Sequence, residues 1–167
     1  MTGAGSRLAS RSATADLPER LAGRLPAPVT YVATTTVGDD ADLAARVAAH
    51  RARRPSDWPT VEAGSDLAGA LAGHPTGTVL VESIGPWLAA HHDFAVDLDG
   101  LVAALLAREG DTVVVSEEVG LAVHPPTELG RRFVDAIGTV NQALADAADE
   151  VLLVVAGRAL PLLRVQE

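Results

Sequence analysis

The sequence contains no lysine and no cysteine; all 13 of its basic residues are arginine. Without cysteine, disulfides, iron–sulfur clusters and thiolate zinc sites are excluded, which suits a reducing cytoplasm. Aromatic residues make up only 3% of the chain. Positive charge is scarce as well. A formal net charge of −9 argues against general nucleic-acid binding, because neutralising phosphates needs a basic field. No apolar run reaches the length of a membrane span, and no signal peptide opens the chain. A GC-rich codon bias accounts for lysines lost from a surface. It does not account for a lysine lost from a site where its charge has chemical work.

What is present is aliphatic. Hydrophobic residues are 48% of 167, mostly Ala, Val and Leu, enough for one domain with a substantial core. Residues 1–15 (MTGAGSRLASRSATA) are small and polar without periodicity and read as loop. Strands are expected at Val29–Thr34, Thr78–Glu82, Thr112–Ser116 and Glu150–Ala156. Short helices are expected at Asp16–Arg24, Asp66–Leu71 and Gly85–His92, and longer ones at Asp39–Arg54, Val96–Arg108 and Thr127–Ala148 with Thr127 as N-cap. Strands with continuous apolar residues, alternating with helices, predict a mainly parallel sheet covered on both faces. Ligands of such sheets bind at the carboxyl ends of the strands, so Thr35, Thr36, Glu82 and Ser116 stand where function is expected.

Three separated segments resemble one family. Glu118–Val151 (EVGLAVHPPTELGRRFVDAIGTVNQALADAADEV) is similar to the E-V-G…P…R-x-F-x-D…G…N-Q-x-L-A-x-x-A-D-E-V segment of the bifunctional adenosylcobinamide kinase / adenosylcobinamide-phosphate guanylyltransferases. Val29–Glu62 resembles that family's strand followed by A-A-R-I…H…R-P-x-x-W…E, and VLVESIGPWL at 79–88 its V-L-V-D/E-C-L-T-x-W-L strand end. The resemblance spans residues 9–160. It implies a three-layer P-loop (RecA-like) fold, GTP or ATP with magnesium as nucleotide and metal, adenosylcobinamide or its phosphate as substrate, and a homotrimer.

The family opens with a strand and G-G-A-R-S-G-K-S. The matching stretch here is Leu8–Ala15, LASRSATA, with the strand before it unrecognisable. Arg11 and Ser12 match the family's R-S; Ala13 replaces the glycine, Thr14 the lysine and Ala15 the magnesium-binding serine. Residues 1–15 are therefore a degenerate phosphate-loop region, and 16–167 the remainder of a single domain. Further departures are Glu117 for the usual Asn, Pro126-Thr127 for Glu-Asn, and Gly85-Pro86 within a Thr-Leu run.

His50 corresponds to the family's histidine that carries GMP covalently. An imidazole is a neutral nucleophile near neutral pH and leaves well when protonated; a solvated helix histidine is the bland alternative. Arg51, Arg53 and Arg54 suit phosphate oxygens or a solvated helix end. Glu62 corresponds to a position near the guanine, and Glu82 closes a buried strand, where an acid needs a partner. Thr35 and Thr36 suit phosphate or ribose, or a cap. The nucleotide-binding set is thus Arg11, Ser12, Thr14, Thr35, Thr36, Arg51, Arg54, Glu62 and Glu82. No metal site is assigned: His91 and His92 project about 100° apart on a helix. The expected function is kinase/guanylyltransferase-like, with the kinase step lost and GMP transfer through His50 retained. The alternative is a non-catalytic relative that binds nucleotide or corrinoid, or assembles with other subunits.

Overall fold

The structure, a computed structural model, describes residues 5–11, 17–35, 41–121 and 123–164; at residues 9–11, 43, 46, 50 and 53 it describes the backbone alone. Among these residues seven strands form one sheet. They are β1 (Ser6–Arg11), β2 (Val29–Ala33), β3 (Thr60–Glu62), β4 (Thr78–Val81), β5 (Thr112–Glu117), β6 (Glu150–Val155) and β7 (Arg158–Leu162). Their order is β3-β2-β4-β5-β1-β6-β7, with every pairing parallel except the β6–β7 hairpin. The helices are α1 (Leu17–Ala22), α2 (Ala41–Arg53), α3 (Leu67–Ala72), α4 (Ile84–Ala89), α5 (Leu98–Leu106) and α6 (Glu128–Ala147), with a 3₁₀ turn at His92–Phe94. None is long and apolar enough to cross a membrane.

Alternation along the strands builds two cores. Val32, Val79, Val81 and Val114 face one side, where they meet Leu67, Leu71, Leu88, Leu101, Leu105, Ile137 and Val140 of α3 to α6. Tyr31, Leu80, Val113 and Val115 face the other, where they meet Ala22 of α1 and Trp58. Each fully buried aliphatic side chain contributes roughly 1.5–3 kcal/mol, so an Ala/Val/Leu composition suffices with few aromatics. This is the expected mainly parallel, three-layer fold.

Differences from the sequence reading cluster where tertiary contact overrides composition. The loop expected over residues 1–15 fails at β1. Ser6–Arg11 lies between β5 and β6, with Leu8 opposite Val114 and Val151. Neighbours on both sides supply a complete ladder of hydrogen bonds, so a polar SRLASR segment becomes a central strand. Likewise β3 and β7 had no strand signal, and β7 is exposed along its whole length. The helix expected to reach His92 stops at Ala89, because Asp93 and Phe94 turn the chain through left-handed φ of 55° and 58°. That turn is held to α6 by an Arg132–Asp93 ion pair of 2.9 Å and an edge-on Phe94–Phe133 contact.

Thr127 caps α6 as expected, and the structure adds two caps that the sequence reading did not name, Asp66 on α3 and Asp97 on α5. Asp66, Asp97 and Thr127 accept from the backbone N–H three residues on, satisfying orphan donors of the first turn. Asp16 and Asp39, where the first two helices were expected to begin, lie outside the described residues.

Candidate nucleotide site

The carboxyl ends of β2, β3 and β4 meet α2 around a narrow cleft of about 40 Å³. Its floor is one face of β2, Tyr31, Ala33 and Thr35, alternating by two as a strand requires. Thr60 and Glu62 of β3 and Glu82 beyond β4 form the rim, and Arg51 and Arg54 close it from α2 and its end. Five of the residues expected from sequence, Thr35, Arg51, Arg54, Glu62 and Glu82, therefore converge. His50 is carried by the same helix, directly before Arg51 and one turn before Arg54. Arg11 ends β1, opposite Glu117, with two strands, β4 and β5, between it and β2 in the sheet order. Ser12, Thr14 and Thr36 lie outside the described residues.

Tyr31 is the residue that the sequence reading missed. It is only 3% exposed, and the Arg54 guanidinium carbon stands 3.5 Å from its ring centroid, a cation–π geometry. Its hydroxyl donates to Glu82, and burial first, then the Glu82 charge, holds the phenol well above its ordinary pKa. Arg54 Nη1 donates to Thr60 Oγ1 at 3.3 Å. Its Nε is shielded from water with no partner among the described residues. The cleft thus fixes a guanidinium by stacking on Tyr31 and by its Thr60 hydrogen bond, and guanidinium groups suit anionic oxygens. The available signal for Tyr31 was its position two and four residues before Ala33 and Thr35 on one strand face.

A belt of hydrogen bonds runs along the same strand ends on the opposite side of the backbone. Thr34 Oγ1 donates to the Ser83 carbonyl at 2.5 Å, and Ser83 Oγ donates to Glu117 Oε1. Gly85 N donates to Glu117 Oε2 at 2.8 Å. Ser116 Oγ pairs with Asn141 Oδ1 at 2.5 Å, while Asn141 Nδ2 donates to the Glu117 carbonyl at 3.0 Å. Ser116 is therefore engaged with α6 rather than with the cleft.

The remaining histidine–acid cluster does not assemble a site. His91 Nδ1 lies 2.8 Å from the Trp87 carbonyl oxygen, and Asp93 is taken by Arg132 and His92. No group of three or more metal-ligating acids and histidines occurs among the described residues.

A mainly parallel α/β sheet with two arginines and two carboxylates around a cleft at its strand ends defines the class: an α/β fold with its candidate site where ligands of such sheets bind. Comparison with known proteins gives the family. The family model for cobinamide kinase / cobinamide phosphate guanyltransferase matches residues 8–162, and the chain belongs to that family. It is 38% identical over 161 residues to the bifunctional adenosylcobalamin biosynthesis protein CobP of Pseudomonas aeruginosa, covering 92% of each chain. It is 34% identical to the bifunctional protein CobU of Salmonella typhimurium, over 89% of this chain and 92% of that one. Among solved structures, the flagellar accessory protein FlaH of Methanocaldococcus jannaschii superposes with a TM-score of 0.46 at 12% identity, covering 94% of this chain and 75% of that chain. That likeness is too loose to carry a conclusion.

Proposed function

We propose that this chain transfers GMP from GTP to adenosylcobinamide phosphate through His50, and that its ATP- or GTP-dependent kinase step is very weak. The observation that carries the proposal is the convergence of Arg51, Arg54, Thr35, Glu62 and Glu82 in one cleft beside the helix that bears His50. In the first half-reaction an imidazole nitrogen attacks the α-phosphorus of GTP. The bond to the β-phosphate oxygen breaks, and pyrophosphate leaves. In the second, a phosphate oxygen of adenosylcobinamide phosphate attacks the same phosphorus, and the P–N bond breaks to return free imidazole. Arg54, stacked on Tyr31, is assigned to the α-phosphate oxygens, where a positioned cation stabilises charge developing in the transition state. Arg51 takes the leaving pyrophosphate. Glu62 is assigned to the guanine N1 and N2 hydrogens, and Thr35 to ribose or phosphate.

Magnesium, when bound, neutralises the triphosphate and orients its oxygens. The donor set fits a loosely held ion: magnesium commonly takes one or two carboxylates plus phosphates and water, and Glu82 supplies such a carboxylate at the rim. Ala15 offers no side-chain oxygen and Thr14 no charge, which is why the kinase step is assigned as very weak. Arg11 and Ser12 remain candidate phosphate contacts at the degenerate loop. The cellular setting that goes with this reading is the cytoplasm.

We further assign the exposed apolar side of the β6–β7 hairpin to a second copy of the chain within a homotrimer. Leu162 pairs with Val151 and Leu160 with Leu153 on that side, which adjoins a groove of about 610 Å³ against α6.

The test of the transfer reading is incubation with α-labelled GTP and magnesium, followed by denaturing electrophoresis. The expected result is an acid-labile, alkali-stable label, as a phosphoramidate gives, that disappears in His50→Ala. Absence of label from the unaltered protein, together with no GTP-induced thermal shift, overturns the reading in favour of a non-catalytic relative.

A further inference from the structure

The geometry points to Glu117 as a positioning residue for the nucleotide cleft, one that acts through Ser83 and requires glycine at position 85. The two oxygens of its carboxylate divide their work. Oε1 accepts from the Ser83 hydroxyl, and Oε2 accepts from Gly85 N at 2.8 Å. Ser83 is the N-cap of α4 but makes no capping hydrogen bond itself. Glu117 supplies one from outside the helix, to an N–H that otherwise has no partner within the first turn.

Glycine is needed at 85 because of close approach, not because of backbone freedom. A Cβ placed there stands 2.6 Å from Glu117 Oε2 and 3.0 Å from its carboxyl carbon. Any other residue displaces the carboxylate or the start of α4.

The belt reaches the cleft through two peptides. Ser83 directly follows Glu82, and its carbonyl accepts from Thr34, which directly precedes Thr35. Both Ser83 and Thr34 are buried. Glu82 and Thr35 line the cleft; their neighbours are tied together on the other side of the same backbone. Fixing Ser83 and Thr34 therefore fixes the direction in which Glu82 and Thr35 project. Glu117, on β5, is not among the residues that line the cleft.

The test has two readouts, of which the first is independent of the transfer reading on which the second rests. Amide hydrogen exchange is followed by mass spectrometry in the unaltered protein, Glu117→Ala, Glu117→Gln, Gly85→Ala and the double variant Gly85→Ala/Glu117→Ala. Removing one hydrogen-bonded anchor corresponds to about a tenfold faster exchange. That increase is expected in Glu117→Ala at Glu82–Gly85 and also at Thr34–Thr35, with the β6 amides unchanged. Glu117→Gln, which keeps an acceptor and lets the Ser83 hydroxyl reverse its role, restores most of the protection. Gly85→Ala reproduces the Glu117→Ala pattern, and the double variant is no worse than Glu117→Ala, because the clash disappears with the carboxylate.

An increase confined to Gly85, with Thr34–Thr35 as in the unaltered protein, overturns the proposal; so does simple addition of the two effects. For the second readout, the GTP concentration that gives half-maximal labelling rises about tenfold in Glu117→Ala and recovers in Glu117→Gln. Labelling with an unchanged half-saturation in Glu117→Ala also overturns it. Failure of the unaltered protein to label refutes the transfer reading alone, and the exchange result still decides the role of Glu117.

Discussion

The absence of lysine and cysteine gives Tyr31 an unusual experimental position. Ordinary side-chain pKa values between about 8 and 12 belong to Cys, Tyr and Lys, and this chain has one tyrosine and neither of the others. In the fold, burial first and the Glu82 carboxylate second hold the Tyr31 phenol well above its ordinary value of about 10. The sign of the linkage follows. The folded-state pKa is raised, so the associated stability is fully present below about pH 10. It is lost as pH rises from there toward the folded value, because the unfolded chain gives up the proton first. The slope is about 1.4 kcal/mol per pH unit above the unfolded pKa, so about 1.4 kcal/mol is lost by about pH 11. Against a typical net stability of about 5–15 kcal/mol, that shift is readily measured. The assay is urea unfolding at a series of alkaline pH values, with tyrosinate absorbance followed in parallel. The expected result is that tyrosinate appears only together with unfolding, and that Tyr31→Phe lacks this part of the alkaline loss. Ionisation near pH 10 in a still-folded protein, or the same alkaline limb in Tyr31→Phe, refutes the placement of Tyr31 beneath Arg54 and against Glu82.

Other expectations follow from single contacts. Arg54→Ala removes the guanidinium over Tyr31 and is expected to slow GMP labelling by about 100-fold, the scale of losing one transition-state donor, with far-ultraviolet circular dichroism unchanged. Arg54→Lys, which keeps charge but not the planar stack, recovers only part of the rate. Restoring the loop with Ala13→Gly, Thr14→Lys and Ala15→Ser is expected to tighten ATP binding by about tenfold or more, as read by equilibrium dialysis; no change refutes its placement as the phosphate loop. Gly110→Ala drives a Cβ onto the backbone of Gly77, whose carbonyl oxygen stands in its way. Its unfolding free energy is expected to fall by about 3 kcal/mol. Leu160 and Leu162 are 59% and 45% exposed on one side of the hairpin; Leu160→Glu with Leu162→Glu is expected to shift sedimentation from trimer to monomer.

The sequence shows some features of this molecule clearly and others not at all, for identifiable reasons. The β2, β4 and β5 strands announce themselves because both faces are covered, which forces continuous apolar residues. The β1 strand does not, although it is equally central. Only Leu8 faces the α6 side as a large apolar residue, and its neighbours Arg7 and Ser10 owe their strand geometry to the ladders on either side. β7 is legible only as a partner of β6, since an exposed edge strand imposes no apolar pattern of its own. The cleft was legible as a set of strand-end polar residues and a helix-borne arginine cluster. Tyr31 was not, because an aromatic in a strand reads equally well as packing.

The pair Glu117 and Gly85 shows the limit most sharply. Each stands out as a departure from the pattern of related chains, one as a carboxylate for an amide, the other as a glycine within a helix start. Taken separately, each reads as erosion: a glycine weakens the start of α4, and an acid crowds the strand ends. In the fold they are in contact, and each accounts for the other. The same does not hold for Ala13, Thr14 and Ala15, for which no compensating donor follows from the sequence. The departures therefore divide into two kinds. At the strand ends the Glu117 carboxylate has both the space, at Gly85, and the donors, Ser83 Oγ and Gly85 N, that hold it. At the phosphate loop a charge and a metal ligand were removed together. The first arrangement is complete in its hydrogen bonds, and the second offers neither the lysine charge nor the serine hydroxyl. That asymmetry is what the proposed reading requires, GMP transfer beside α2 with a very weak kinase step at the loop.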